Sequence, residues 1–262
     1  MALLGATAPA ATRLVVTAIE RKSGRPVKGL AAQDFVVVDD KTPRQVETAE
    51  FTSTAIDVML LLDTSLAGGM VQPVVENLIG QLEPKEQMAM VSFHSAADLI
   101  QDFTASKELL RRAAAGVKYG NAPRLLDALY AAIDGGFQSS TFRRTILLLT
   151  AGLEGDSRVR EPEVVRLARR HAVSIFPVYV IGYERSLFER LARQTGGASF
   201  SLPEMRRADG EGARGSGPGA RIFEVLRAHY LLTVSGNLGL GEKLKVEVRR
   251  PEKLLVSALP LE

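Results

Sequence analysis

The chain has 262 residues, of which 46% are hydrophobic and 24% are charged, and its formal net charge is +3. This composition is typical of soluble globular domains, and the small net charge does not indicate a nucleic-acid-binding protein, which usually carries clustered positive charge. The chain has no cysteine, so disulfides, thiolate catalysis and cysteine-based zinc sites are excluded.

The sequence also gives no sign of a membrane segment. No apolar stretch approaches the ~20 residues that a membrane-spanning helix needs. Residues 1–13 lack a basic start and a long apolar core, so they do not predict a complete signal peptide. We therefore expect no membrane insertion, and the sequence does not assign a compartment.

The N-terminal part of the chain has the pattern of short strands. Leu14–Ile19 is rich in β-formers, and Ser23–Pro26 carries turn residues. Phe35–Val38 predicts a second strand. Gln45–Phe51 alternates polar and apolar residues, as a half-buried strand does.

The middle of the chain alternates short apolar strands with helical spacing, which predicts a mostly parallel sheet covered on both faces. The predicted strands are Ile56–Leu62, Met88–Phe93, Asp98–Phe103, Thr145–Thr150, Val173–Ile181 and Ala198–Leu202. The predicted helices are Val71–Leu82, Lys107–Val117, Leu125–Phe137, Glu161–His171 and Ser186–Gln194.

The last part of the chain begins with a glycine-rich stretch. Residues 203–220 carry five glycines with mixed charge and predict a flexible loop. A short helix and three strands are expected after it. They are Ile222–Ala228, Tyr230–Ser235, Lys243–Arg249 and Lys253–Ala258, with the last two strands forming a hairpin.

The two β-rich ends are each too short to bury a core alone, since about 40 residues rarely fold unaided. We expect residues 12–53 and 229–262 to pair into one small β-sandwich. The fold class is then α/β, a doubly wound, mostly parallel sheet with helices on both faces, formed by residues 54–228 and inserted in that sandwich.

One candidate site lies at the end of the first strand of this sheet. Asp63 and Ser65 follow that strand directly and precede a helix. Ligands of open parallel sheets bind beyond the carboxyl ends of the strands, where the strand order reverses. Oxygen groups at this place are suited to a hard cation such as Mg²⁺.

The segment Asp63–Ala67 resembles the start of the metal-ion-dependent adhesion site of the von Willebrand factor A family, Asp-x-Ser-x-Ser. Leu147–Thr150 resembles the family's fourth strand, and Leu125–Tyr130 resembles the helix after its metal-binding threonine loop. The flanks Gly29–Asp39 and Arg227–Leu232 resemble a bacterial subgroup, the "VWFA-related" proteins of acidobacteria. The resemblance covers nearly the whole chain and implies a protein-binding module that is exported or in the cell envelope.

Three of the five metal-binding positions depart from the family pattern. Ala67 stands where the second serine is expected, and Ala151 stands where the later aspartate is expected. The loop threonine position falls at Pro123 when Leu125–Tyr130 is aligned, or at Asn121 or Ala122 with a small shift. Only Asp63 and Ser65 remain, so the metal site is predicted to be degenerate and no cofactor is expected.

Mg²⁺ binding stays open as an alternative, because nearby loops carry other oxygen groups. Asn121, Glu154 and Asp156 are the possible substitutes for the missing ligands. Without them, Asp63 is expected to accept hydrogen bonds from its own loop.

The function expected from these residues is non-enzymatic binding of a protein partner. Recognition would use the loop surface of Leu66, Gly68, Gly69, Pro123 and Leu153, since loops on a rigid scaffold commonly carry binding. One alternative is a structural scaffold with a vestigial site. Another is weakly Mg²⁺-dependent binding at the remaining ligands.

Catalysis is the least supported alternative. A phosphotransferase of the haloacid dehalogenase type needs a second aspartate where this chain has Ser65. The chain has no nucleophile elbow and no phosphate-binding loop. Ser92 and His94 are expected on one face of a strand, yet no orienting acid is evident.

Overall fold

The structure is a computed structural model that describes residues 11–209 and 217–261, without the side chains of residues 208 and 209. The strands are β1 Ala11–Glu20, β2 Phe35–Asp39, β3 Thr42–Arg44, β4 Val46–Ser53, β5 Ile56–Asp63, β6 Gln87–Phe93, β7 Ala97–Thr104, β8 Arg143–Thr150, β9 Ser174–Tyr179, β10 Phe200–Ser201, β11 Ala228–Ser235, β12 Leu244–Val248 and β13 Leu254–Leu261. The helices are α1 Gln72–Gly80, α2 Lys107–Ala115, α3 Leu125–Gly135, α4 Glu161–Arg170, α5 Arg185–Gln194, α6 Leu202–Asp209 and α7 Gly219–Arg227.

The central sheet has six strands in the order β10-β9-β8-β5-β6-β7. Neighbours are parallel throughout, except that β7 runs antiparallel to β6. All eight residues of β5 are buried, because β5 lies in the middle of the sheet with helices over both faces. The strand order reverses between β5 and β8, and this is the switch point of the fold. The predicted doubly wound architecture is confirmed.

Side chains of the central strand alternate between two cores. Val58 and Leu60 pack with α1 and α7 on one face, whereas Met59 and Leu61 pack with α3, α4 and α5 on the other. The unbroken apolar sequence of β5 is therefore explained by a strand that has no solvent-facing side.

The outer segments form two further sheets that pack on each other. One has the order β13-β1-β11-β4 and the other the order β12-β2-β3. Tyr230 lies in their shared core, with its ring centroid 5.3 Å from that of Phe35 and 5.2 Å from that of Phe51. The expected small sandwich of the two chain ends is confirmed, while the domain boundaries at residues 53 and 229 stay predictions.

Two predictions for the C-terminal part were wrong. The last two strands do not form a hairpin with each other, because β12 pairs with β2 and β13 pairs with β1. Residues 203–220 are not one loop, since α6 covers Leu202–Asp209 and α7 starts at Gly219. Leu202 and Met205 are buried three positions apart and anchor α6 on the core, a local signal that the glycine-rich composition hid. Residues 210–216 lie outside the described part of the chain.

The sequence analysis also missed β3, which has only three residues and contains Pro43. Asp40 and Lys41 connect it to β2, and both have positive φ angles, of 45° and 66°. Two residues with φ above zero form the tight type I′ connection that suits a β-hairpin. The strand is defined by this turn, since its composition alone does not predict it.

Candidate functional site

Asp63 ends β5 at the switch point, where its carboxylate is completely buried. Its Oδ1 accepts a hydrogen bond from the Ser65 backbone N–H at 2.9 Å. Its Oδ2 accepts from the Thr150 hydroxyl at 2.9 Å and from the Ala151 backbone N–H at 3.0 Å. This side chain therefore joins the ends of β5 and β8, and protein donors satisfy both of its oxygens.

The turn after Asp63 closes tightly over it. A Cβ atom built on Gly68 would lie 2.2 Å from the Asp63 carbonyl oxygen, so only glycine fits there without a shift. Ser65 is 1% exposed, and its hydroxyl has no hydrogen-bond partner within the described ranges. The turn thus holds one hydroxyl without a partner among the described residues and one carboxylate whose two oxygens both accept hydrogen bonds from the protein. We call this carboxylate saturated.

A second loop, residues 118–124, is hydrogen-bonded to this turn. The Gly120 N–H donates to the Thr64 carbonyl at 2.9 Å, and the Leu66 N–H donates to the Asn121 carbonyl at 3.0 Å. Asn121 has a φ of 59°, a conformation that asparagine tolerates better than most residues. Arg124 continues the connection, since its N–H donates to the His94 carbonyl at 2.8 Å.

A third loop follows β8 and lies beside the other two. Leu153 and Glu154 are half-buried, whereas Asp156 is exposed. Glu154 uses its carbonyl to accept from the Leu125 N–H at 3.0 Å, while its buried Oε1 has no hydrogen-bond partner among the described residues. Asp156 makes no hydrogen bond or ion pair that involves the described part of the chain.

The turn after β5 offers few free oxygens to a divalent cation. Mg²⁺ requires about six oxygen ligands in octahedral geometry. Asp63 already accepts three hydrogen bonds, and Ala67 and Ala151 offer no side-chain oxygen, so Ser65 supplies the single unused hydroxyl of the turn. No group of three or more His, Cys, Asp or Glu side chains that could hold a metal occurs in residues 11–209 and 217–261.

Several large apolar side chains project into solvent from these loops and from the loop after β9. Leu66 and Tyr183 are each 80% exposed, Met70 is 48% exposed and Tyr119 is 36% exposed. We call these four residues the loop face. Burial raises the pKa of Tyr119, and the negative charge of Asp63 raises it further.

The sequence analysis found the loop face only in part. Leu66 and Gly69 are exposed as expected, but Gly68 and Pro123 are buried and contribute no contact surface. Leu153 is half-buried. The sequence analysis missed the other three members of the loop face. A signal existed for Tyr183, because it is an aromatic residue shortly after β9 at the carboxyl edge of the sheet.

No family model and no curated protein matches this chain. Solved structures do match it. Proximal thread matrix protein 1 from the mussel byssus, with a zinc-occupied metal-ion-dependent adhesion site motif, aligns at a TM-score of 0.55 and 15% identity, covering 72% of this chain and 50% of that one. A second crystal form of that protein aligns at a TM-score of 0.52 and 16% identity, covering 70% and 49%.

The chain has the von Willebrand factor A-type fold. At these identities the likeness shows the fold alone, and the chain spans about half the length of the mussel protein. The VWA domain of SpRpn10 also matches, at a TM-score of 0.43 and 12% identity, covering 57% of this chain and 88% of that one. No helix in the described part of this VWA-type chain is long and apolar enough to cross a membrane.

Proposed function

We propose that this chain is a non-enzymatic protein-binding module of the adhesion or assembly type, which recognises its partner through the loop face. The observation that carries the proposal is Leu66. Its side chain is 80% exposed, yet its backbone is fixed by the hydrogen bond to Asn121 and its neighbour Ser65 is bonded to Asp63. Because the backbone is already ordered, burying this apolar side chain in an interface costs only the entropy of the side chain itself.

The aromatic members of the loop face support the same function. Tyrosines are enriched at protein interfaces because they bring large contact area with few rotatable bonds. Tyr119 and Tyr183 lie on two different loops, after α2 and after β9, and both flank the carboxyl edge of the sheet.

A matched pair of substitutions tests the loop face. Leu66 and Leu99 are both exposed leucines, of 80% and 59%, but Leu99 lies on the edge strand β7. A photoreactive residue placed at position 66 should yield one specific crosslinked protein in extracts of the native cells, and the same residue at position 99 should not. Competition by excess unlabelled chain should remove the adduct, and competition by Leu66→Asp should not. Equal adducts from both positions would contradict the proposal.

We further propose that partner binding does not need a metal, and that the metal site is degenerate. The saturated carboxylate of Asp63 and the lack of side-chain oxygens at Ala67 and Ala151 support this. Thermal unfolding with EDTA, and then with Mg²⁺, Mn²⁺ or Ca²⁺, should give the same Tm. A bound ion at 100 times its Kd would add about 2.7 kcal/mol of stability, so a clear upward shift would refute metal independence.

We also propose that the chain is not an enzyme and that it is exported or in the cell envelope. The His94 ring contacts the Ser95 hydroxyl at 3.0 Å, and among the described residues it makes no hydrogen bond with Ser92. We expect the chain to show no hydrolase turnover, so Asp63→Asn should abolish none. A hydrolase screen of the chain and of this variant would check this. The exported or cell-envelope location in a bacterium rests on the sequence resemblance, and fractionation of the native cells tests it.

A further inference from the structure

One edge of the sandwich carries unpaired backbone groups. β12 is the outer strand of the sheet β12-β2-β3. Val38 of β2 lies between Pro43 of β3 and Lys245 of β12. Proline has no N–H, so Val38 and Pro43 form a non-hydrogen-bonded pair, and Val38 must direct its N–H and C=O towards Lys245. Successive residues of an antiparallel strand direct their backbone groups to opposite sides. Because Lys245 faces β2, the next residue, Val246, directs its N–H and C=O away from β2, to the side of β12 that has no neighbouring strand.

A cavity of about 660 Å³ runs along this open side, between β12 and β13. The two strands lie side by side but share no hydrogen-bonded register, since each pairs with a different sheet. Leu244 and Val246 of β12 and Val256 of β13 line the cavity and are half-buried. We call this cavity the strand groove. It offers an apolar wall and a free strand edge.

The end of the strand groove near Leu244 is basic. Arg169 lines it and is 6% exposed, and its Nε and Nη1 donate to the carbonyls of Gln194 and Gly241 at 2.9 and 2.8 Å. Among the described residues, no carboxylate contacts this guanidinium, and burial lowers its pKa. Arg193 lines the same cavity, is exposed, and has no ion pair in the described ranges.

The opposite end carries one carboxylate that lines the cavity, among the basic residues Arg249, Arg250 and Lys253. Glu252 lies in the connection between β12 and β13 and lines the cavity there. Lys245 and Glu247, in the middle, bond to each other at 2.7 Å and cancel. The strand groove is therefore basic at the end near Leu244, where Arg193 has no ion pair among the described residues and Glu242 acts on the Arg169 guanidinium without contacting it.

We propose that the strand groove binds the C-terminal tail of a partner protein as an added β-strand. The tail's terminal carboxylate lies at Arg169 and Arg193, and its preceding residues run towards Glu252. This direction is antiparallel to β12, so the tail pairs with the outward N–H and C=O of Val246. Carboxylates bind guanidinium groups with short, charge-assisted hydrogen bonds, which fixes the register. The strand groove is separate from the loop face, and its occupant does not depend on the function proposed above.

Two peptide pools test this inference directly. The probe is a pool of N-terminally fluorescein-labelled pentapeptides, randomised over Val, Ile, Leu and Thr, with a free C-terminal carboxylate. The second pool is identical but amidated. Fluorescence polarisation should show binding of the free-acid pool and at least ~10-fold weaker binding of the amidated pool. Equal binding of both pools, or no binding of either at millimolar peptide, would overturn the proposal.

A matched charge reversal locates the carboxylate. Arg193→Glu and Arg170→Glu make the same charge change on exposed arginines near the ends of α5 and α4, but only Arg193 lines the strand groove. Arg193→Glu should weaken free-acid binding by at least ~10-fold, and Arg170→Glu by less than ~2-fold. Equal effects of the two variants would mean a nonspecific charge attraction and refute the assigned end.

A proline substitution tests the strand edge. Val246→Pro removes an N–H that points outward, so the fold should survive while peptide binding is lost. Lys245→Pro removes an N–H that bonds to β2 and should lower the urea midpoint instead. If Val246→Pro unfolds the protein, or if it folds and still binds the free-acid pool unchanged, the antiparallel strand addition is wrong.

Discussion

Asp63 and Arg169, two of the buried charged residues in the described part of the chain, differ in the contacts that surround them. Asp63 receives three hydrogen bonds from donors at the switch point and lies under a turn that only glycine can close. Arg169 donates to two carbonyls but meets no carboxylate among the described residues, and it lines a cavity. A buried ion whose oxygens all accept hydrogen bonds holds the fold together, whereas a buried guanidinium that lines a cavity and contacts no carboxylate among the described residues can meet an external anion, even though Glu242 acts on it from a distance.

Asp63→Ala should have the largest effect on stability, because it removes the saturated carboxylate. The substitution leaves two backbone N–H groups and the Thr150 hydroxyl without an acceptor in a dry site. We expect a loss of about 3–5 kcal/mol in the free energy of unfolding, measured by urea denaturation. Asp156→Ala, an exposed carboxylate on a neighbouring loop, is the control and should change stability by less than ~0.5 kcal/mol. A mild effect of Asp63→Ala would mean that the carboxylate is not structural.

His229 extends the comparison to the amino end of the central sheet. It lies on β11, beside Arg143 at the start of β8. Burial lowers its pKa to about 4, and the adjacent Arg143 charge contributes. Between pH 6.5 and pH 4 the unfolded chain takes up this proton and the folded chain does not, so stability falls as the pH falls through this window. The loss should reach about 3 kcal/mol in denaturation measured across these pH values.

His229→Gln should flatten this part of the pH profile, since it removes the titrating group. His171→Gln, at a half-buried histidine after α4, is the matched substitution for comparison. A slope that survives His229→Gln would assign the pH dependence to other groups.

Two adjacent glycines, Gly68 and Gly69, test how tightly the turn packs against Asp63. A Cβ atom at Gly68 would lie 2.2 Å from the Asp63 carbonyl oxygen, whereas one at Gly69 would meet nothing within 4 Å. Gly68→Ala should therefore cost about 2 kcal/mol through overpacking, and Gly69→Ala should be close to neutral. Thermal unfolding of the two variants side by side would show whether the turn is as tightly closed as the geometry indicates.

Ser65→Ala should have the smallest effect and bears on the metal most directly. The Ser65 hydroxyl is buried without a partner in the described ranges, so its removal should be neutral or stabilise the fold by up to about 1 kcal/mol. The result should be the same in EDTA and in Mg²⁺. Destabilisation that appears only in Mg²⁺ would show that this hydroxyl is a ligand.

The site and its surface were predictable to different degrees. The sequence located Asp63 and Ser65 correctly at the switch point, because a carboxylate directly after a buried parallel strand can lie only at that edge. It could not rank the exposure of the loop residues. Gly68 and Leu66 are two positions apart, yet one is buried and the other projects into solvent. That difference depends on where the loop of Asn121 crosses the turn.

The sequence by itself determined the alternation of strands and helices, the two-sided burial of β5 and the two-part origin of the sandwich, because these follow from the local spacing of apolar residues. Only the tertiary structure decided that β12 pairs with β2 and leaves a free edge, and that Asp63 is saturated while Arg169 is not. The physical reason is that hydrogen-bond partners and counter-charges come from residues far apart in the chain. Their meeting depends on strand register and helix packing, which no local pattern encodes.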